Sequence, residues 1–164
     1  MADKSSFSAD EWPKIVGSPL LAGMAVTLAD PSGLWGILKE GIASASSLMD
    51  AKKDAGASNL VKAIVAELET SEGRSMAREA FKAQLTAKTP AELKVQAIAA
   101  LGSVSQLVDA KAGPDAQALK VWLNGIAERV AAASKEGGFL GFGGVAVSDA
   151  EKATLEDVSA ALRA

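Results

Sequence analysis

The sequence predicts an all-α protein, a single helical bundle of six to seven helices spanning residues 1–164. Three observations lead there. Apolar residues recur at three- and four-residue spacing in one segment after another. Ser/Thr-x-x-Glu boxes mark helix starts at Ser8, Thr89 and Ser148. Beyond Val145 to Val147, no stretch alternates apolar and polar residues with the period of a strand.

The first box pairs Ser8 with Glu11, and Phe7 and Trp12 stand where a hydrophobic staple would bracket it. From there a helix is expected over about Ala9 to Ala29, kinked or broken where Pro19 follows Gly17-Ser18. Between Lys14 and Lys39 the one charge is Asp30, and the Gly17-Ser18-Pro19 break argues for a central buried helix over a membrane span. Asp30-Pro31 caps a second helix bearing Leu34, Leu38, Ile42, Ala45 and Met49 and ending near Ala55-Gly56. A third opens at Ser58 with Leu60, Val61, Ile64, Val65 and Leu68 on its apolar side. Gly73 marks a turn or weak point, after which Met76, Ala80, Phe81 and Leu85 continue the stripe.

Thr89-Pro90-Ala91-Glu92 is the strongest start, because proline at the first helical position has the right φ and no donor to leave unpaired. Its helix carries Leu93, Ala97, Leu101, Val104 and Val108 and stops at Gly113-Pro114. Leu119, Trp122, Leu123, Ile126 and Val130 form the next face, closed by Gly137-Gly138, and the Ser148 box opens a last helix with Leu155, Val158 and Leu162. The helices bearing Leu20 to Leu28 and Leu93 to Val108 are nearly free of charge and are expected at the centre. Ala22, Gly23, Ala25, Ala97, Ala100 and Gly102 would let helix axes approach closely there. A faint echo links Trp35 and Gly41-Ile-Ala to Trp122 and Gly125-Ile-Ala. It suggests a degenerate duplication of a helical hairpin unit, with halves 8–87 and 89–163.

Composition narrows the chemistry. The chain has no His, no Cys and no Tyr, so the commonest general base, thiolate ligands and the phenolic acid are all missing. No Ser or Thr is followed three residues later by Lys, so the local Ser-x-x-Lys nucleophile arrangement does not occur. Asp50 with Asp54 and Glu156-Asp157 lack the Glu-x-x-His companion of a di-iron bundle. No Asp or Glu falls on an expected apolar face. Asp30 comes nearest, and a helix cap accounts for it. No catalytic residue, cofactor or metal is therefore expected, and an enzyme built on Lys and carboxylates is the minor alternative. A net charge of −3 speaks against a general grip on nucleic acid, which depends on Lys and Arg neutralising phosphates. The opening residues mix acids into what would be the basic region of a leader, so a cytoplasmic protein is expected.

Two groups remain as candidate contacts. Gly137 to Gly144 holds Phe139, Leu140 and Phe142 between glycines, and such side chains cost about 1.5–3 kcal/mol each if left in water. Either they plug one end of the bundle or they meet a partner; Phe139 suits the plug and Phe142 the docking tip. Arg74, Arg78 and Lys82, at four-residue spacing, make a basic stripe able to contact an anion, although Glu67, Glu69, Glu72 and Glu79 lie close enough in sequence to neutralise it. The function expected is a non-enzymatic interaction or assembly module that meets a protein partner or a second copy of itself. A carrier of a small apolar molecule held between helices is the alternative, and a peripheral membrane-surface protein the second.

Overall fold

A computed structural model describes residues 1–29, 50, 57–135 and 147–163. The described chain is all-α. A 3-10 turn, Lys4–Ser6, precedes α1 (Trp12–Thr27), α2 (Asn59–Glu69), α3 (Ser71–Gln84), α4 (Pro90–Lys111), α5 (Pro114–Lys135) and α6 (Asp149–Leu162), and no strand occurs among the described residues. Val147 lies in a bend ahead of α6. Outside the described residues fall Val145, the expected helix from Asp30 to Gly56 apart from Asp50, the Trp35 and Gly41 half of the internal echo, and Phe139, Leu140 and Phe142.

The centre of the bundle is α1, which packs against all five other helices and most extensively against α3, α4 and α5. It is buried nearly all round, with Ile15, Val16, Leu21, Ala22 and Ala25 fully inside, as a helix with no charge beyond the exposed Lys14 near its start must be. On α4 the burial begins at Ala97 and continues at Ala100, Leu101, Val104, Ser105 and Val108. The expected central pair is thus in contact, with α1 the hub. Small residues set the spacing. A Cβ on Gly17 would stand 3.2 Å from the carbonyl oxygen of Ala77 on α3, and one on Gly102 would stand 3.9 Å from that of Ala161 on α6.

Pro19 does not break α1, which is helical from Trp12 to Thr27. Proline removes the donor that the carbonyl of Ile15 would normally use. The buried Ser18 hydroxyl donates to that oxygen instead, at 2.7 Å. The α1 boundary also differs from the expected Ala9. Ser8 starts a preceding turn, its carbonyl accepting from the Glu11 and Trp12 amides at 3.1 and 3.0 Å, while its own amide donates to Glu11 at 2.8 Å. Lys111 on α4 then clamps both Glu11 carboxylate oxygens at 2.6 and 2.7 Å.

The turn expected at Gly73 lies three residues earlier. Thr70 ends α2 and caps α3, its hydroxyl donating to the carbonyl of Glu67 at 2.8 Å and accepting from the amide of Gly73 at 2.9 Å. Ser58, Thr89 and Ser148 are the N-caps of α2, α4 and α6, as their sequence contexts require. Only Ser148 among the three expected boxes is fully reciprocal. At Thr89 the Glu92 carboxylate accepts from the threonine hydroxyl rather than from the cap amide. Between α4 and α5 the chain reverses through Gly113, at φ +51°, a conformation that favours glycine.

Candidate functional site

The segment before α1 acts as an arm laid across the bundle. Asp3 caps its 3-10 turn, accepting from the amide and the hydroxyl of Ser5 at 2.8 and 2.6 Å. These two bonds, hydroxyl first, hold the Asp3 carboxyl below its usual pKa. Phe7 and Trp12 are both buried and stack at 6.0 Å, so the expected staple forms. The indole N–H of Trp12 then reaches α2, donating to Oε2 of Glu67 at 3.0 Å, and the Lys4 ammonium donates to the same oxygen at 3.1 Å. Burial alone would raise the Glu67 pKa. The bonds from Lys4 and Trp12 outweigh it, and the carboxyl is held below its usual value.

These contacts frame an open groove of about 600 Å³ between the arm and the α2–α3 junction, lined by Asp3, Lys4, Ser5, Trp12, Ala63, Ala66, Glu67 and Thr70. Its floor is small and apolar, from Ala63, Ala66 and the edge of Trp12, and its rim is charged. Two of the three rim charges are carboxylates, and Lys4 is already committed to one of them. The groove therefore presents net negative charge beside an apolar shelf, the arrangement of an interface with an apolar centre and polar edge.

The basic stripe is brought together on α3, where Arg74, Arg78 and Lys82 are all exposed. Arg74 has a structural task, its guanidinium donating to the carbonyls of Leu68 and Glu69 at 3.2 and 2.8 Å and so capping the end of α2. Arg78 donates to the Arg74 carbonyl at 3.3 Å, and Lys82 lies in the last turn of α3. Of the carboxylate groupings, Asp50 pairs with Arg129 at 2.6 Å, whereas Glu156 and Asp157 are exposed. Among the described residues no three His, Cys, Asp or Glu side chains converge on a common point, and no helix is long and apolar enough to cross a membrane.

One sequence expectation is corrected here: acidic side chains are buried. Asp115 and Glu151 both lie inside, each in the first turn of its helix, where unpaired backbone amides and the helix dipole favour negative charge. Lys120 is also buried and reaches Asp109 at 2.6 Å. Sequence reasoning missed the groove as well. Its polar parts, Lys4 and Glu67, are 63 residues apart in the chain, and Trp12 reads from sequence as the partner of Phe7 in the staple, with nothing to point its indole N–H at Glu67. The one available signal was the clustering of Asp3, Lys4 and Ser5 just ahead of the staple. The chain matches no family model, and comparison with curated proteins and with solved structures shows no similar protein.

Proposed function

We propose that this protein is a non-enzymatic interaction module that docks a basic, apolar-tipped segment of a partner protein in the groove between the arm and α2. The supporting observation is that groove's composition. An open, largely apolar shelf built on Trp12, Ala63 and Ala66 carries the depressed carboxylates of Asp3 and Glu67 on its rim. Small side chains on the shelf leave room for an incoming aliphatic group. The rim carboxylates, ionised at neutral pH, steer and orient a Lys or Arg beside it. An open groove suits a chain segment laid along it better than a small molecule, which needs most of its surface enclosed.

Ala66 is exposed, so a substitution there tests docking without disturbing the core. Affinity capture from the source cell, quantified by mass spectrometry, is run with the parent and with Ala66→Arg as bait, and cross-links map the contacting segment. A partner lost at least about tenfold with Ala66→Arg, an effect of about 1.4 kcal/mol, and cross-linked through a Lys- or Arg-bearing segment supports the reading. Equal capture by both baits, or contact mapped to another face, overturns it.

A further inference from the structure

The arm brings a cation of its own to the groove. Lys4 lies in the 3-10 turn, and its ammonium donates to Oε2 of Glu67 at 3.1 Å, the same oxygen that accepts the Trp12 indole N–H at 3.0 Å. The two donors are held very differently. Trp12 is buried at the start of α1, which fixes its N–H against α2. The Lys4 side chain is 63% exposed, against 19% for Glu67, and the bond to Glu67 is its one polar contact among the described residues. An ammonium so well solvated loses little by letting go, because water replaces the carboxylate as its partner. The better covered carboxylate has less water to turn to, so it stands to gain from any cation that takes the vacated place.

We propose, resting on the docking reading above, that Lys4 is a built-in competitor for the groove: it holds the cation position in the free protein and is exchanged there for a lysine of the docked segment. The exchange needs no rearrangement of the arm. Asp3 caps the turn and Phe7 is buried just beyond it, so the backbone stays in place while the Lys4 side chain swings into solvent. Glu67 then trades one ammonium for another on an oxygen that Trp12 keeps aligned. An ammonium is the chemistry that this position already accepts. Until it is displaced, Lys4 offsets part of the rim's negative charge, and a segment without a lysine to offer in its place has nothing to gain at Glu67.

The full chain is titrated with an acetylated, amidated peptide in which one lysine is flanked by leucines, and the Trp12 indole N–H resonance reports occupancy of the groove. Lys4→Met is expected to tighten binding about twofold to fivefold, the range that an exposed ion pair accounts for. Lys62→Met removes the same charge from α2 and should change the affinity by less; an equal gain there overturns the proposal. Carbodiimide coupling read by mass spectrometry gives a second measure. The free protein should form a Lys4–Glu67 amide link, and saturating peptide should replace it with a peptide–Glu67 link. Unchanged affinity in Lys4→Met, or a Lys4–Glu67 link that survives saturation, overturns the competitor but leaves the docking groove standing if Ala66→Arg still blocks the peptide. Binding that ignores Ala66→Arg, or no binding by either the parent or Lys4→Met, overturns both.

Discussion

Ser18 donates its hydroxyl proton to the Ile15 carbonyl at 2.7 Å, the oxygen that Pro19, four residues on from Ile15, leaves without its helical donor. Both residues are fully buried, so neither group can turn to water. A proline that would ordinarily stop a helix is accommodated at the centre of the bundle by the residue just before it.

Ser18→Ala is therefore expected to cost about 1–3 kcal/mol, the penalty of an unpaired buried carbonyl, and more than Ser103→Ala on α4, whose hydroxyl bonds the Ala99 carbonyl at an exposed position. Pro19→Ala restores an N–H, so its benefit should be larger in the Ser18→Ala background than in the parent. A double-mutant cycle by urea unfolding measures that coupling. Strictly additive changes would show that the hydroxyl does not stand in for the missing donor.

Glycine replacements should have opposite signs at two helical positions. A Cβ on Gly73 would lie 1.9 Å from the Glu67 carbonyl oxygen, whereas one on Gly125 would meet nothing within 4 Å. Gly125→Ala is expected to stabilise by about 0.5–1 kcal/mol, the usual helix-interior gain. Gly73→Ala should destabilise by more than about 2 kcal/mol despite the same intrinsic preference, because backbone must move to admit the methyl. Thermal melts of the two variants side by side give the comparison.

Acid should unfold the protein partly through the arm. The pKa values of Asp3, Glu11 and Glu67 are all lowered in the folded chain. For Glu11 the first cause is the bond from Lys111, followed by the Ser8 amide. Groups with depressed pKa values contribute stability that is complete above their ordinary values, 3.8 for Asp and 4.5 for Glu, and is lost as pH falls through the folded values. Glu67→Gln should lose less stability than the parent between pH 6 and pH 3, measured by urea midpoints at each pH. With no His or Cys in the chain, both proteins should be nearly flat from pH 6 to 8.

Caps should rank by how many donors they satisfy. Ser148 accepts from the Glu151 amide at 3.2 Å while Glu151 accepts from the Ser148 amide at 2.7 Å; Thr89 satisfies only the Glu92 amide, at 3.3 Å. Thr89→Ala is expected to cost about 1 kcal/mol and the double change Ser148→Ala with Glu151→Ala up to about 2 kcal/mol, because the Ser148 amide is met by the Glu151 carboxylate and not by its own hydroxyl. Calorimetric midpoints that reverse this order would show that the second half of the box contributes nothing.

Helix starts were legible because a cap is a local device: Ser58, Thr89-Pro90 and Ser148 each carry their structural instruction within four residues. The same holds for the Phe7–Trp12 staple. What could not be read were events that depend on distant partners. Pro19 looked like a break because its rescue requires the Ser18 hydroxyl to be sealed away from water, which is a matter of packing. The burial of Asp115 was not legible because its partner, Ala2, lies 113 residues away. The groove followed the same rule, since the Trp12–Glu67 bond spans 55 residues. Gly73 was correctly singled out, but as a turn; its role is to let α3 start against the end of α2.

The shared cap at Thr70 leaves no slack between α2 and α3, and that constrains how this region can vary in length. Most connections between helices absorb an inserted residue as a slightly longer loop. Here an added residue has no loop to enter, so it would rotate all of α3 by about 100° about its axis. Ala77 would then turn away from Gly17, and Arg74 would lose the carbonyls it holds at the end of α2. Variation by insertion or deletion is expected to be tolerated at Gly113, where the chain already reverses at the surface, and to be forbidden at Thr70.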